Sequence, residues 1–239
     1  MKKLVAFLCV TTISVMSPIG SWAAISIDTH ASFGMFTSPS GGGSYTVSGS
    51  NPFLFCFDTA ASCSVVTAVT YGALPMTAID SVAYPGDICV NTWYYDNPPA
   101  GTATVTFTTL GNAYANCISY DGVDTSTGYV QKASGSTVGG QVTPLALSLT
   151  IMNANAWIIY AAANQFSAGF LTPAGGTQRE TNTYSAGGDI GPVSAGSNTV
   201  DIYTSQYGDS NQLMGTIIEL KPAGGAVAPS ASTLPLMGI

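Results

Sequence analysis

The chain has 239 residues, and its five basic and twelve acidic residues give a formal net charge of −7. This acidic balance excludes a general affinity for nucleic acids, which a basic surface confers. Only 7% of the residues are charged, and serine, threonine, glycine and asparagine fill the segments between apolar runs. Such a composition is typical of exported proteins, whose surfaces carry hydroxyl and amide groups in place of ion pairs.

Residues 1–23 have the features of a secretory signal. Lys2 and Lys3 form a basic start, an apolar run follows, and residues 21–23 (Ser-Trp-Ala) provide a small-residue cleavage site. We predict that the mature chain begins near Ala24, which leaves three basic against twelve acidic residues and a net charge of −9. Because the apolar run is short and is broken by Thr11, Thr12 and Pro18, we do not interpret it as a transmembrane anchor. We expect no membrane span in the mature chain.

Four cysteines follow the predicted cleavage site: Cys56, Cys63, Cys89 and Cys117. An even number in an exported chain indicates two disulfides, for which three pairings are possible. We predict that Cys56 pairs with Cys63 and closes a local hairpin, and that Cys89 pairs with Cys117 between neighbouring strands. The alternative that stays open is Cys56 facing Cys117. Without a C-x-x-C motif or a nearby histidine, we expect no metal site and no cofactor.

The N-terminal part of the mature chain is a succession of predicted strands. Residues 25–33 alternate between polar and apolar, and residues 53–57 form a continuous apolar run that indicates burial on both faces. Residues 65–71 and 74–82 are two further strands around Gly72, which is typical of a tight turn.

The pattern is clearest between Gly86 and Asp124, which we interpret as three strands joined by two turns. From Thr102 to Thr108, threonines alternate with less polar residues, as in a strand with one wet and one buried face. Residues 97–101 (Asn-Pro-Pro-Ala-Gly) predict the reversal before that strand, because proline lacks a backbone donor and glycine permits the turn.

Aromatic and acidic residues of this region are the candidate ligand-binding positions. The run Trp93-Tyr94-Tyr95 favours core packing, because alternation sends neighbouring side chains to opposite faces; sugar stacking is the alternative. Asp121 and Asp124 flank a glycine and favour a hydrogen-bonded turn over a calcium loop. The possible ligand-binding residues are Trp93, Tyr94, Tyr95, Tyr120, Asp121 and Asp124.

The C-terminal part continues the β pattern. Residues 126–141 are interpreted as a polar loop between two halves of one domain, and 145–151 and 155–163 as strands. Residues 172–198 have the composition of a long loop, the predicted functional surface. The last strands follow at 200–204 and 214–220, so that we expect one domain over 24–222 and a flexible tail over 223–239.

These elements predict an all-β protein, an antiparallel two-sheet β-sandwich with almost no helix. The predicted core comprises Phe53, Phe55, Val65, Val69, Val90, Val105, Phe107, Leu147, Leu149, Ile158, Ile202 and Ile218.

Five short strings, in the same order over nearly the whole mature chain, carry a resemblance. They are VTYGALPMT (69–77), WYYDNPPAGTATVTFT (93–108), ISYDGVD (118–124), TPAGGTQRE (172–180) and GTIIELKPA (215–223). The chain resembles a family of poorly characterised bacterial and phage-associated β-sandwich modules. This resemblance implies a jelly-roll-like sandwich in an exported or surface-displayed protein and brings no catalytic residue. The four cysteines and Asp96 depart from the family pattern.

The C-terminal string VAPSASTLPLMGI (227–239) is similar to the beginning of PEP-CTERM-type sorting signals. The apolar span and arginine cluster that follow the proline motif in such signals are not among these residues. A truncated sequence and a chance likeness both stay open as explanations.

We therefore expect a noncatalytic structural or adhesive protein that is secreted or lies at the cell surface, with extracellular glycans or other surface proteins as partners. A carbohydrate-binding module is the alternative. A glycoside hydrolase ranks third, because the only glutamates, Glu180 and Glu219, lie on a predicted loop and a final strand rather than as a facing pair of carboxylates. No G-x-S-x-G motif indicates a serine hydrolase.

Overall fold

The computed structural model describes residues 23–84, 88–139, 144–165, 169–204 and 211–224. These residues form 17 β-strands and no helix, and the prediction of an all-β, antiparallel β-sandwich is confirmed. The predicted signal and nearly all of the predicted tail lie outside the described residues.

The N-terminal half has the strand order of a jelly roll. An inner sheet has the order β1-β9-β3-β7-β6, an outer sheet has the order β2-β8-β4-β5, and every pairing is antiparallel. The strands are β1 (Ser26–Phe36), β2 (Ser40–Val47), β3 (Phe53–Ala60), β4 (Val66–Tyr71), β5 (Leu74–Pro75), β6 (Thr77–Tyr84), β7 (Ile88–Asp96), β8 (Gly101–Thr109) and β9 (Ala113–Asp121).

The C-terminal half repeats this arrangement. Its inner sheet has the order β10-β17-β12-β15-β14, and its outer sheet has the order β11-β16-β13. The strands are β10 (Lys132–Gly139), β11 (Leu145–Ile151), β12 (Ala156–Asn164), β13 (Phe170–Leu171), β14 (Gly176–Thr181), β15 (Ser185–Val193), β16 (Gly196–Thr204) and β17 (Asn211–Leu220).

The interpretation of residues 172–198 as one long loop is wrong, because this segment contains β14 and β15. The interpretation of residues 126–141 as a loop is also wrong, because this segment contains β10. Glycine suits β15 because neighbouring groups occupy the space that a side chain would take. A Cβ atom on Gly187 would lie 2.4 Å from Phe57 Cε1, and one on Gly188 would lie 2.1 Å from the carbonyl oxygen of Thr177. Composition alone does not reveal that these glycines lie within a sheet.

The two halves correspond in strand order and in several local features, which indicates an internal duplication. Strands β8 and β16 have the same burial pattern, and each begins with a glycine at positive φ, 124° at Gly101 and 125° at Gly196. A β-bulge follows Ala78 in the β6–β7 pair, and another follows Gln178 in the β14–β15 pair, at the matching position. The strings GTATVTFTT and GSNTVDIYT share Gly, Thr, Val and Thr at equivalent places.

Four sheets are stacked in layers, with the two inner sheets in contact and an outer sheet on each side. The continuous apolar run of β3 is explained by this position, since Phe53, Phe55 and Phe57 face the other half while Leu54 and Cys56 face the outer sheet. The prediction of two sheets thus describes one half of the structure. All of the predicted core residues are buried except Val65, which is half-buried beside a buried Val66.

The halves are related by an approximate twofold axis. Strand β1 contacts β14 at one edge of the stack, and its counterpart β10 contacts β6 at the other edge. A polar contact lies at each edge, a hydrogen bond between His30 Nδ1 and Glu180 Oε1 at 2.6 Å and an ion pair between Lys132 Nζ and Asp80 Oδ1 at 3.2 Å. The strand registers place these two pairs at equivalent positions.

The predicted disulfide pairing is wrong. The bonds join Cys56 to Cys117, with Cα atoms 4.1 Å apart, and Cys63 to Cys89, with Cα atoms 5.1 Å apart. Strand β9 pairs with β3 and places Cys117 directly opposite Cys56. Strand β7 pairs with the other side of β3 and places Cys89 opposite Ala60, three residues before Cys63.

Candidate functional site

The core between the two halves ends in a cavity at one end of the stack. Its volume is about 290 Å³, at the lower end of the range typical of small-molecule sites. Both halves contribute to its wall, which includes Met35, Thr59, Ile88, Tyr114, Gln165 and Tyr184.

The register of paired strands and a turn closed by the Asn182 side chain position the lining residues. Thr59 lies opposite Tyr114 in the β3–β9 pair. In the other half, Asn182 Oδ1 accepts hydrogen bonds from the backbone N–H groups of Tyr184 and Ser185, both at 2.9 Å. This turn holds the Tyr184 ring beside the Tyr114 ring, with centroids 5.2 Å apart and planes inclined by 58°.

Two buried polar atoms belong to the lining residues of this cavity. Thr59 is 2% exposed, and its Oγ1 has no hydrogen-bond partner among the described residues; the same is true of Gln165 Oε1. A buried polar atom without a partner is destabilising by about 1 to 3 kcal/mol. The described lining combines hydroxyl and amide groups with aromatic and aliphatic side chains, so the cavity suits a ligand with both hydrogen-bonding groups and an apolar face.

The predicted aromatic positions are divided between two cores. Trp93 packs in the N-terminal half and donates from Nε1 to Asp58 Oδ2 at 2.8 Å, and Tyr95 lies on the same face. Tyr94 faces the other half and stacks on Phe53, with ring centroids 5.7 Å apart. Tyr120 is fully buried in the same inner core. Core packing, which the alternation favours, accounts for these side chains.

The two predicted acidic positions are engaged in local bonds. Asp121 Oδ1 accepts hydrogen bonds from the backbone N–H groups of Ser50 and Asn51, both at 3.0 Å. Asp124 accepts from Lys221 Nζ at 2.6 Å and from the backbone N–H of Ser126 at 3.1 Å, which closes the predicted turn. The bonds from Lys221 and Ser126 hold the pKa of Asp124 at about 2.

Three further carboxyl groups are buried and receive hydrogen bonds. Asp58 accepts from Asn91 Nδ2 and Trp93 Nε1, both at 2.8 Å, and burial raises its pKa to about 7. Asp189 accepts two bonds from Arg179, at 2.6 and 3.0 Å. Glu219 accepts from Gln131, from Met152 N and from the backbone and side chain of Asn153. These contacts hold loops and sheets together.

The positions of the two glutamates differ from a facing pair. Glu180 lies on β14 and bonds His30, whereas Glu219 is fully buried on β17. Among the described residues there is no group of three or more His, Cys, Asp or Glu side chains suited to a metal ion. No helix in the described part of the chain is long and apolar enough to cross a membrane.

Comparison of the chain with protein-family models and with curated proteins finds no match in either case.

The cavity residues Thr59, Tyr114, Gln165 and Tyr184 were missed by sequence reasoning. They come from four separate segments in two halves, and none belongs to a recognisable motif. The available signal was the repeat between residues 101–109 and 196–204, which indicates two similar units and therefore a junction between them.

Proposed function

We propose that this chain is an exported, noncatalytic structural or adhesive protein of the cell surface or extracellular space. The observation that carries the proposal is the pair of disulfides inside the N-terminal jelly roll. Disulfides form and persist in oxidising compartments, and the predicted signal provides the route to one. The resemblance to exported β-sandwich modules and the similarity to a sorting signal support the same assignment.

The outer faces of the stack support an adhesive role. Thr102, Thr104 and Thr108 of β8 are exposed, and a 2.7 Å hydrogen bond joins the hydroxyls of Thr102 and Thr46. On the opposite outer sheet, the hydroxyls of Ser148 and Thr199 are 2.8 Å apart. These hydroxyl-bearing surfaces, which include the half-exposed Asp201 on β16, suit contact with polar polymers or with other surface proteins.

Expression in a bacterial host with a functioning export pathway tests the assignment. We expect the product outside the cytoplasm, with an N-terminus near Ala24 and both disulfides formed. Beads coated with this product should adhere to surfaces bearing glycans or extracellular protein. Retention of Met1 in the exported product would contradict the predicted signal, and a purified turnover that one point substitution abolishes would contradict a noncatalytic role.

Carbohydrate binding is the second candidate function. The observation that favours it is the uncharged cavity between the halves, where Tyr114 and Tyr184 lie beside Thr59 and Gln165. Aromatic faces combined with hydroxyl and amide groups suit the mixed apolar and polar surface of a sugar ring. A glycan array incubated with the exported protein tests this function, and binding to at least one neutral glycan is expected.

A further inference from the structure

We propose that the cavity between the halves binds one neutral sugar ring, and that Thr59, Gln165 and Tyr184 contact it. The inference rests on the second candidate function, carbohydrate binding, and names its site. The cavity replaces the aromatic run at residues 93–95 as the expected sugar-binding location, because the side chains of that run pack in the cores.

The polar lining defines the chemistry of the ligand. Thr59 Oγ1 can donate or accept one hydrogen bond, whereas Gln165 Oε1 only accepts. A ligand hydroxyl next to a second hydroxyl or an amide N–H satisfies both atoms. We assign a neutral ligand because the polar groups of the described lining are hydroxyls and amides, which match the hydroxyl groups of a sugar.

The apolar lining and the volume restrict the ligand further. Ile88 and the two tyrosine rings provide an apolar wall, on which the C–H face of a pyranose ring can pack. A volume of about 290 Å³ suits a single ring rather than an extended oligosaccharide, and the remainder of a glycan would extend out of the cavity.

The internal duplication shows that the fold does not require this polar lining. Thr59 lies opposite Tyr114, and the equivalent pair in the C-terminal half is Ala163 opposite Met214. Ala163 is fully buried without a hydroxyl to satisfy. A jelly roll of this design therefore folds with an apolar residue at that place, so the hydroxyl of Thr59 is not explained by packing.

The test compares sugar binding by the full exported protein and three variants. Saturation-transfer NMR with glucose, galactose, mannose and N-acetylglucosamine identifies the bound sugar, and a titration gives its Kd. We expect Thr59→Val to raise that Kd about 3- to 10-fold, the effect of one hydrogen bond. Tyr184→Leu, which removes an aromatic face, should weaken binding by a similar factor.

Thr216→Val is the matched control. Thr216 is 1% exposed on β17, its Oγ1 also lacks a partner among the described residues, and it does not line the cavity. We expect its Kd to equal that of the unmodified protein. Sugar binding that Thr59→Val and Tyr184→Leu leave unchanged would overturn the cavity as the site while carbohydrate binding stands. Absence of binding to all four sugars and to a glycan array would overturn both.

Discussion

At the scale of single residues, buried carboxyl groups distinguish this chain from an ordinary apolar sandwich. Asp58 lies between the two sheets of the N-terminal half, fully buried, and accepts hydrogen bonds from the neutral side chains of Asn91 and Trp93. Burial penalises its ionised form and raises its pKa to about 7. The proton on Asp58 therefore couples the stability of the fold to pH.

Substitution of Asp58 by asparagine should remove that coupling. The pKa of Asp58 is higher in the folded than in the unfolded chain. The stabilisation that protonated Asp58 gives the fold is therefore complete at low pH and is lost as the pH rises towards 7. We expect the free energy of unfolding of the unmodified protein to fall by about 2 to 3 kcal/mol between pH 5 and pH 8 relative to Asp58→Asn. Urea unfolding at the two pH values measures this difference.

Asp124 provides a control for Asp58, since its pKa of about 2 keeps it ionised between pH 5 and pH 8, so that Asp124→Asn should leave the pH dependence in that range as it is in the unmodified protein. Parallel stability curves for Asp58→Asn and the unmodified protein would contradict the assignment of the proton to Asp58.

Arg179 and Asp189 form the ion pair with the least solvent access. Its two hydrogen bonds measure 2.6 and 3.0 Å, and the Asp189 side chain is 3% exposed. Arg179→Ala leaves this carboxylate buried with the Tyr120 hydroxyl, which donates at 3.3 Å, as its remaining side-chain donor among the described residues. We expect a loss of about 3 to 5 kcal/mol in the free energy of unfolding, measured by urea denaturation.

The comparison for Arg179 is Lys221→Ala at the more exposed pair with Asp124, where both side chains retain more than a fifth of their exposure. A loss of about 0 to 1 kcal/mol is expected there. Equal losses in the two variants would show that burial does not decide the strength of these pairs.

At the scale of strands, the disulfides connect β3 to its two neighbours. Cys56–Cys117 lies within the β3–β9 pair and spans 61 residues of sequence, whereas Cys63–Cys89 joins the segment after β3 to β7 and spans 26 residues. In the chain-entropy model, the loop closed by a bond determines how far that bond restricts the unfolded chain. The two bonds should therefore differ in their contributions to stability.

Removal of each disulfide as a pair of alanines tests this difference. We expect Cys56→Ala with Cys117→Ala to lower the free energy of unfolding by about 4 kcal/mol, and Cys63→Ala with Cys89→Ala to lower it by about 3 to 4 kcal/mol. Urea unfolding under non-reducing conditions provides both values. Peptide mapping should first show Cys56 linked to Cys117, and a fragment that joins Cys56 to Cys63 would contradict the sheet register.

At the scale of the whole molecule, the contact between the two halves is the feature that sets the architecture. Phenylalanines of β3 face small residues of β12 and β15 across the approximate twofold axis. The closest approach is at Gly187, where the Phe57 ring occupies the place of a side chain. Close packing of this kind tolerates little added volume.

Gly187→Ala should therefore weaken the contact between the halves. The added Cβ would lie 2.4 Å from Phe57 Cε1, so the ring or the sheet must shift. We expect a loss of about 1 to 3 kcal/mol in the free energy of unfolding. Phe57→Leu makes room for the methyl group, so Gly187→Ala should cost less in that background, and a double-mutant cycle measures the coupling.

Gly111→Ala is the control for the effect of a methyl group at a glycine, because its nearest neighbour, Val65 Cγ1, would lie 3.6 Å away in ordinary contact. A change in stability near zero is expected. A Gly187→Ala variant as stable as Gly111→Ala would show that the halves do not meet as closely as described.

The β class and most of the core residues could be predicted from the sequence. Alternation along β8 and β11, and the uninterrupted apolar run in β3, report the local environment of each side chain, because the two faces of a strand differ in their exposure to solvent. The turn at Asp124 was also predictable, because its hydrogen bond from Ser126 N is local and spans only two residues.

The disulfide pairing, the four-layer stack and the cavity became evident only in the tertiary structure. Cys117 meets Cys56 because β9 pairs with β3, and no local pattern encodes which strands become neighbours. The glycines of β15 have the composition of a loop, yet they lie in a sheet where the Phe57 ring and the Thr177 carbonyl oxygen occupy the space that side chains would take. Thr59 and Tyr184 become parts of one site only because the two halves pack together, and contacts between distant segments arise from the packing of whole sheets rather than from the residues beside them.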